Sequence, residues 1–542
     1  MPTAMAPHGM VTTSHSLASQ AALTILKQGG NAIEAAITAA STLSVVYPHM
    51  NSIGGDNFWL IYNAGTAEVK ALNASGRAGS LATIDYYRSQ GYDMIPTRGY
   101  LAANTVPGVL SGWQQAYEYS RSSLAGLCPW RDLLTPAIDY AKNGFPVTPR
   151  QAKWTTAVLN PATTGFGTQN CYAAFRRIFL RKDGSPYQAG EVFRQQDLAS
   201  TLELIADKGA DEFYQGLLAN RLVSELQAHG GVLTLDDFKN HTADWVLPLT
   251  VAYRDYQAYN LPPNTQGLAS LSLLNILNNF AISPLGEGTA AYYHLLIEAT
   301  KQAFADRDRW LTDPAFTNIP LELLLSGQHG CDLAARIDMS KAAGEITALD
   351  PGGDTVWLGV VDNSGNAVSL IQSIYYDFGS GIIPQGTGVL LQNRGSYFSL
   401  DPAHVNCLAP GKRTFHTLNP AMLLKDRKPY LVYGTMGGEG QPQTQAALVT
   451  RIIDFGYDVQ AAIDAPRWLY GRSWGAAAND VKLESRVPPA VINQLAAQGQ
   501  PVRLVDDFDE IMGHAGAILI DPDNNVKHGG SDPRGDGAAI GY

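Results

Sequence analysis

Three glycine-rich stretches are places where backbone N–H groups could approach a ligand with no Cβ in the way: "GGDN" at 54–57, "TMGGEGQPQ" at 435–443 and "GGSDPRGDG" at 529–537. Gly437 and Gly438 follow a strand-like run directly, which makes them the best placed of the three to present such N–H groups, although a plain turn also fits there. None matches the dinucleotide fingerprint or the phosphate loop closing on Gly-Lys-Ser/Thr, so no nucleotide cofactor is implied. A fourth stretch, "PGGDTVWLGVVDNSGNAVSL" at 351–370, opens a strand on Thr355 directly after Gly-Gly-Asp and turns at Asn-Ser-Gly-Asn. Read alone it is an ordinary hairpin. HExxH and GxSxG are both absent, so neither a zinc hydrolase helix nor an α/β-hydrolase elbow is available, and no metal is expected.

The elements that must position these residues follow from periodicity. From Ser14, apolar residues at helical spacing give one helix, stopped at Gly29-Gly30-Asn31, and then an Ala-rich helix apolar around its circumference, hence buried. "NSIGGDNFWLIYN" and "AEVKALNAS" read as strands. Residues 130 to 330 are mostly helical, broken by strand-like "PLTVAYRDYQAYNL". Strands return at "TVWLGVVD", "NAVSLIQSI", "AMLLKD" and "PYLVYGT", followed by helical "TQAALVTRIIDFG" and a last strand pair in "GAILIDPDNNVKHGG". This order indicates an α+β fold with helix-covered sheets in one compact body.

Composition excludes several functions. A formal charge of -11 with no Lys/Arg run offers no footprint for nucleic acid. The four cysteines, Cys128, Cys171, Cys331 and Cys407, show no metal-ligand spacing. No signal-like N-terminal segment and no 18-residue apolar run occurs, so a cytoplasmic location without membrane attachment is expected.

Blocks along nearly the whole chain resemble the γ-glutamyltransferase family in residues and order: "GGNAIEAAIT", "YPHMNSIGGDNFWL", "TVPGVLSGW", "LPPNTQG", "EATKQAFADR", "GDTVWLGVVDNSGNAVS", "FGSGI", "GKRTFHTLNPA" and "SDPRGDGAAIGY". The resemblance implies the four-layer αββα sandwich of N-terminal nucleophile hydrolases and no cofactor. It also implies a zymogen that cuts its own chain at Asp354–Thr355, giving a large chain, 1–354, and a small chain, 355–542, which stay associated and pair again as a dimer of heterodimers. Thr355 would attack the preceding carbonyl, with Gly352 and Gly353 letting that peptide distort. Once N-terminal, its own α-amine, titrating at about 7.7 to 8.0, supplies the base an internal Thr lacks. The family's oxyanion donors map onto Gly437 and Gly438, and its hydroxyl-orienting residue onto Ser373.

The family's γ-glutamyl pocket is altered. Its Arg column falls on Ser75, with Arg77 two residues later. Its Asn reads Tyr375, its Gln reads Arg394, its acid reads Tyr397, and its paired serines read His416-Thr417. The anion for an α-ammonium is gone and a cation suited to bidentate carboxylate binding is gained. Within the family the chain is similar to the oxamate amidohydrolases of purine and allantoin catabolism, on "LIQSIYYDFGSG", "QNRG", "FHTLNPA" and "MGHAGAI". That implies a small anionic amide, held by Arg394, His416 and Tyr375. A γ-glutamyl or glutaryl substrate, or a catalytically silent relative, is the alternative.

Overall fold

The computed structural model describes residues 2–160, 166–344, 354–471 and 479–542, the side chain of Asp354 excepted. The strands used below are β1 (Ala4–Ala6), β2 (Met10–Thr13), β3 (Asp56–Asn63), β4 (Glu68–Ala74), β5 (Asp244–Val246), β6 (Leu249–Tyr253), β7 (Tyr256–Asn260), β8 (Asp354–Val361), β9 (Ala367–Tyr375), β10 (Ala421–Lys425), β11 (Lys428–Thr435), β12 (Ala515–Ile520), β13 (Lys527–Ser531) and β14 (Ala538–Gly541). They form two seven-stranded sheets, ordered β1-β13-β12-β11-β10-β7-β6 and β14-β2-β8-β9-β3-β4-β5. All these pairings are antiparallel.

The sheets face each other, with β8 against β11 and β12. Helices α1 (Ser16–Lys27) and α2 (Ala32–Val46) cover the outer face of the second sheet. Helix α3 (Gly267–Leu277), α4 (Ala290–Trp310) and α5 (Gln441–Ile453) form the layer outside the first. The result is the four-layer αββα sandwich that the family resemblance implies, and it has the helix-covered sheets that periodicity indicates.

Local sequence explains the inner layer. Asn31 accepts from the Ile33 and Glu34 N–H groups, and Glu34 accepts from the Asn31 N–H, a reciprocal cap that starts α2. Every residue of α2 is buried, as its all-round apolar sequence requires. The hairpin β8–β9 is closed by Asp362, whose Oδ1 accepts from the Ser364 and Asn366 N–H groups, with Gly365 at φ +84° completing the turn. This hairpin lies in the middle of its sheet, between β2 and β3; β2 pairs with Leu358–Val361, while the start of β8 is laddered to β9.

Candidate active site

At the start of β8 the ladder is irregular. Asp354 pairs with Tyr375 and Val356 with Gln372, so Ser373 and Ile374 both face Thr355. Such a bulge re-aims the side chains beside it. Thr355 is wholly buried, and its hydroxyl has no hydrogen-bond partner among the described residues. Ser373 pairs in register with Asp56 on β3, and its hydroxyl accepts from the Tyr375 N–H at 2.8 Å. The Ser373 bond to Thr355 implied by the family is not made in the continuous chain. Gly352 and Gly353 lie outside the described residues.

Across the sandwich, β11 ends one residue before Met436, and Gly437 and Gly438 follow at φ +124° and +52°. Residues with a Cβ rarely adopt this backbone, which accounts for the glycine pair. Among the described residues, neither N–H donates a hydrogen bond to another backbone carbonyl.

Arg394 begins a short turn, Arg394–Tyr397, locked by Asn393, whose side chain accepts from the Tyr376 N–H and donates to the Thr97 carbonyl. The Arg394 guanidinium is 1% exposed and lies 4.0 Å above the Tyr375 ring. Nη1 donates to the Thr417 hydroxyl at 3.3 Å, while Nε and Nη2 have no partner among the described residues. Those two nitrogens share one edge of the guanidinium, the edge that grips a carboxylate with two parallel bonds. Burial pulls the group down to about 10, with the Tyr375 ring and Asp56 acting against it, so it stays cationic at neutral pH.

Tyr375 carries a backbone φ of +82°, a strained conformation for a bulky residue costing about 1–3 kcal/mol, and strain of this order concentrates at functional sites. Its ring stacks on Tyr376 and tilts toward Tyr397, which in turn meets Phe415. The aromatic wall leaves little room around Arg394.

His416, expected to help hold the carboxylate, is bonded to Asp56 in this structure. Its Nδ1 accepts from the Leu418 N–H at 3.4 Å, so Nε2 carries the proton and donates to Asp56 Oδ2 at 3.3 Å. Burial, with Arg394 nearby, holds the ring neutral. Arg77 is also engaged elsewhere: its guanidinium is 3.4 Å from Asp244 and 3.6 Å from Asp313, and the side chain is 40% exposed. It shares both carboxylates with Arg413. Thr417 lies against Arg394.

Asp56 was not singled out from sequence beyond its glycine-rich block, yet it is the hub of the site. Its Oδ1 accepts from Gln392 Nε2 at 3.0 Å, the Gly76 N–H at 3.0 Å and the Gly108 N–H at 3.1 Å. A Cβ on Gly55 would lie 2.1 Å from the Ser373 carbonyl, so glycine there lets Asp56 sit beside the bulge. Burial lifts the Asp56 carboxyl to about 6, against the pull of those donors and of Arg394. Gln266, Arg307 and Glu439 likewise sit inside the longer blocks "LPPNTQG", "EATKQAFADR" and "TMGGEGQPQ". The signal available was a polar or charged side chain inside an otherwise apolar or glycine run, which must find partners when buried. Among the described residues no group of three or more His, Cys, Asp or Glu is arranged to hold a metal ion.

The αββα layers, with Thr355 at the start of a central strand and Gly437-Gly438 at the end of a facing one, are the fold of the N-terminal nucleophile hydrolases. The chain belongs to the gamma-glutamyltranspeptidase family, which it matches over residues 18–542, and is an amidohydrolase acting on C–N bonds. It is 47% identical over 98% of both chains to the glutathione hydrolase-like YwrD proenzyme of Bacillus subtilis. It is 46% identical to the oxamate amidohydrolase proenzyme of Klebsiella pneumoniae, over 99% of this chain and 98% of that one. The cephalosporin acylase of Bacillus halodurans superimposes with a TM-score of 0.92 at 38% identity, covering 100% of this chain and 97% of that one.

Proposed function

We propose that this protein is an autoprocessing amidohydrolase of a small carboxylate-bearing amide, oxamate being the substrate that fits best. The observation that carries this reading is the buried, unpartnered Nε/Nη2 edge of Arg394. A cation kept dry with two idle donors is costly unless an anion completes it. Arg394 stacks on Tyr375, whose backbone pairs with Asp354, the neighbour of Thr355, so the carboxylate and the attacked carbonyl belong close together. In oxamate they are adjacent carbons.

The chain first cuts itself at Asp354–Thr355. The Thr355 hydroxyl attacks the Asp354 carbonyl, the acyl group moves from nitrogen to oxygen, and water hydrolyses the ester. The new α-amine then takes the hydroxyl proton as Thr355 attacks the substrate amide carbon. Gly437 and Gly438 N–H groups stabilise the oxyanion; losing one such donor typically costs about 2.7–4 kcal/mol. The α-amine returns the proton to nitrogen, the C–N bond breaks, and ammonia leaves. Water attacks the oxalyl ester, gives its proton to the amine, and oxalate departs as the Thr355 oxygen is reprotonated. Ser373 orients the hydroxyl once the preceding segment has left. Tyr375 and Tyr397 wall the pocket, Thr417 steadies Arg394, and His416 acts through Asp56. The four cysteines are free, which agrees with a cytoplasmic enzyme.

The likeness to a cephalosporin acylase favours a second reading, a longer carboxylate-ended acyl group held by the same Arg394. The test is intact mass for the purified protein, with ammonia release from oxamate and glutamine and aniline release from a glutaryl anilide measured side by side. Two fragments meeting at Thr355 and turnover of oxamate support the proposal; turnover of the other amides alone overturns the substrate assignment.

A pH effect follows from the charge of Asp56 near Arg394. Ionised Asp56 opposes an anion arriving at Arg394, and protonation through about 6 removes that opposition. The inhibition constant of oxalate is therefore expected to fall several-fold between pH 7.5 and pH 5.5, as the nearby negative charge is lost. Steady-state inhibition across that range measures it, and a flat profile refutes the coupling.

A further inference from the structure

Two successive glycines give the Gly437–Gly438 backbone wide freedom, yet oxyanion donors are effective only when already aimed. The Gly437 carbonyl accepts from the Gly440 N–H at 2.8 Å, and the Gly438 carbonyl accepts from the Gln266 side chain at 2.8 Å. Gln266 Nε2 donates its second hydrogen to the Thr417 carbonyl at 2.7 Å. Its Oε1 accepts from Arg307 Nη1 at 3.3 Å. Arg307 is fixed in turn by Glu439 at 2.9 Å and Asp308 at 2.7 Å, with its guanidinium 3.8 Å from the Phe304 ring centre. Gln266 and Arg307 are both buried.

One carboxamide thus ties the glycine loop to residue 417, and the hydroxyl of Thr417 accepts from Arg394. We propose that Gln266 is a positioning residue that fixes the distance between the Gly437–Gly438 donors and the Arg394 fork, and so sets how many carbons separate carboxylate from reacting amide. This rests on the reading of those groups given above and adds the element that measures substrate length. The chemistry requires Gln: two donors reach two carbonyls while one acceptor meets Arg307. Glu has no donors at that place, and Met has neither function. The Gln266 backbone is held independently, its N–H donating to the His416 carbonyl at 2.9 Å, so the segment keeps its place without the side chain.

The experiment compares wild type and Gln266→Met on a ladder of monoamides: oxamate, malonamate, succinamate and glutaramate. Wild type is expected to prefer one length sharply. In Gln266→Met, kcat on that substrate falls about 10–100-fold, the size expected when reacting groups shift by about 1 Å. The preference over the amide one methylene longer shrinks at least about tenfold, because a slack separation tolerates both lengths. Processing and thermal midpoint report folding, and Gln266→Asn, too short to reach both carbonyls, serves as the milder variant. A uniform loss on every length, or an unchanged profile, overturns the role of Gln266. A wild type that prefers a longer amide overturns the oxamate assignment and leaves the length test intact. No turnover of any member by wild type overturns both.

Discussion

Thr355→Ala remains a single 58.2 kDa chain and releases no ammonia, a loss of at least about 10⁴-fold in kcat when the nucleophile itself is removed. Both events need the same oxygen, first against the Asp354 carbonyl and then against the substrate. The fold survives. The hydroxyl is buried without a partner, so removing it relieves a desolvation cost while the lost methyl weakens packing, and the net change in stability stays within about 1 kcal/mol. Intact mass, ammonia release and thermal unfolding check the three parts together. Thr355→Ser, which keeps the oxygen, is expected to process and turn over more slowly. Cleavage at the same bond in Thr355→Ala would remove the mechanism altogether.

Arg394→Met gives the second large effect, and its two parts have opposite sign. With no cation for the carboxylate, kcat/KM on an anionic amide falls about 10²–10³-fold, the 2–5 kcal/mol typical when one partner of a buried charge pair is truncated. Arg394→Lys recovers little, because an ammonium cannot present two parallel donors from one edge. Stability moves the other way. The wild-type guanidinium is buried with two idle nitrogens, whereas a Met of similar length packs on Tyr375 without that cost, so the thermal midpoint rises. Kinetics on the anionic substrate and differential scanning calorimetry measure the pair. A midpoint that falls would mean Arg394 is a structural cation.

Much of this was legible in the chain. The buried helix α2, the hairpin β8–β9 and the strands β10 and β11 follow from apolar spacing and turn chemistry, and the observed bounds differ by about a residue. The short strands β2 and β14 were not. "MVTT" and "AAIG" have no alternation to read, and become strands only because β8 needs a neighbour and β2 another. The site divides in the same way. Thr355, Gly437 and Gly438 are proposed from motif and resemblance, and Arg394 from its departure from the family pattern. The engagement of Arg77 by Asp244 and Asp313, and of His416 by Asp56, depends on residues far apart in sequence meeting in space, which spacing does not encode. Asp56 itself was masked by its glycines, whose more obvious use is a turn.

The weave of the two sheets has one more consequence. Strands before and after residue 354 alternate within both: β8 and β9 lie between β2 and β3, while β10 adjoins β7. A cut at Asp354–Thr355 severs a covalent link but no ladder between neighbouring strands, and neither fragment owns a complete sheet. Unfolding of the processed enzyme thereby becomes a dissociation. Its apparent midpoint rises with protein concentration by mass action, whereas that of an uncut Thr355→Ala chain does not. Proteolytic maturation would exchange a self-contained fold for a partnership that dilution weakens, and once parted the fragments must meet again before either can refold.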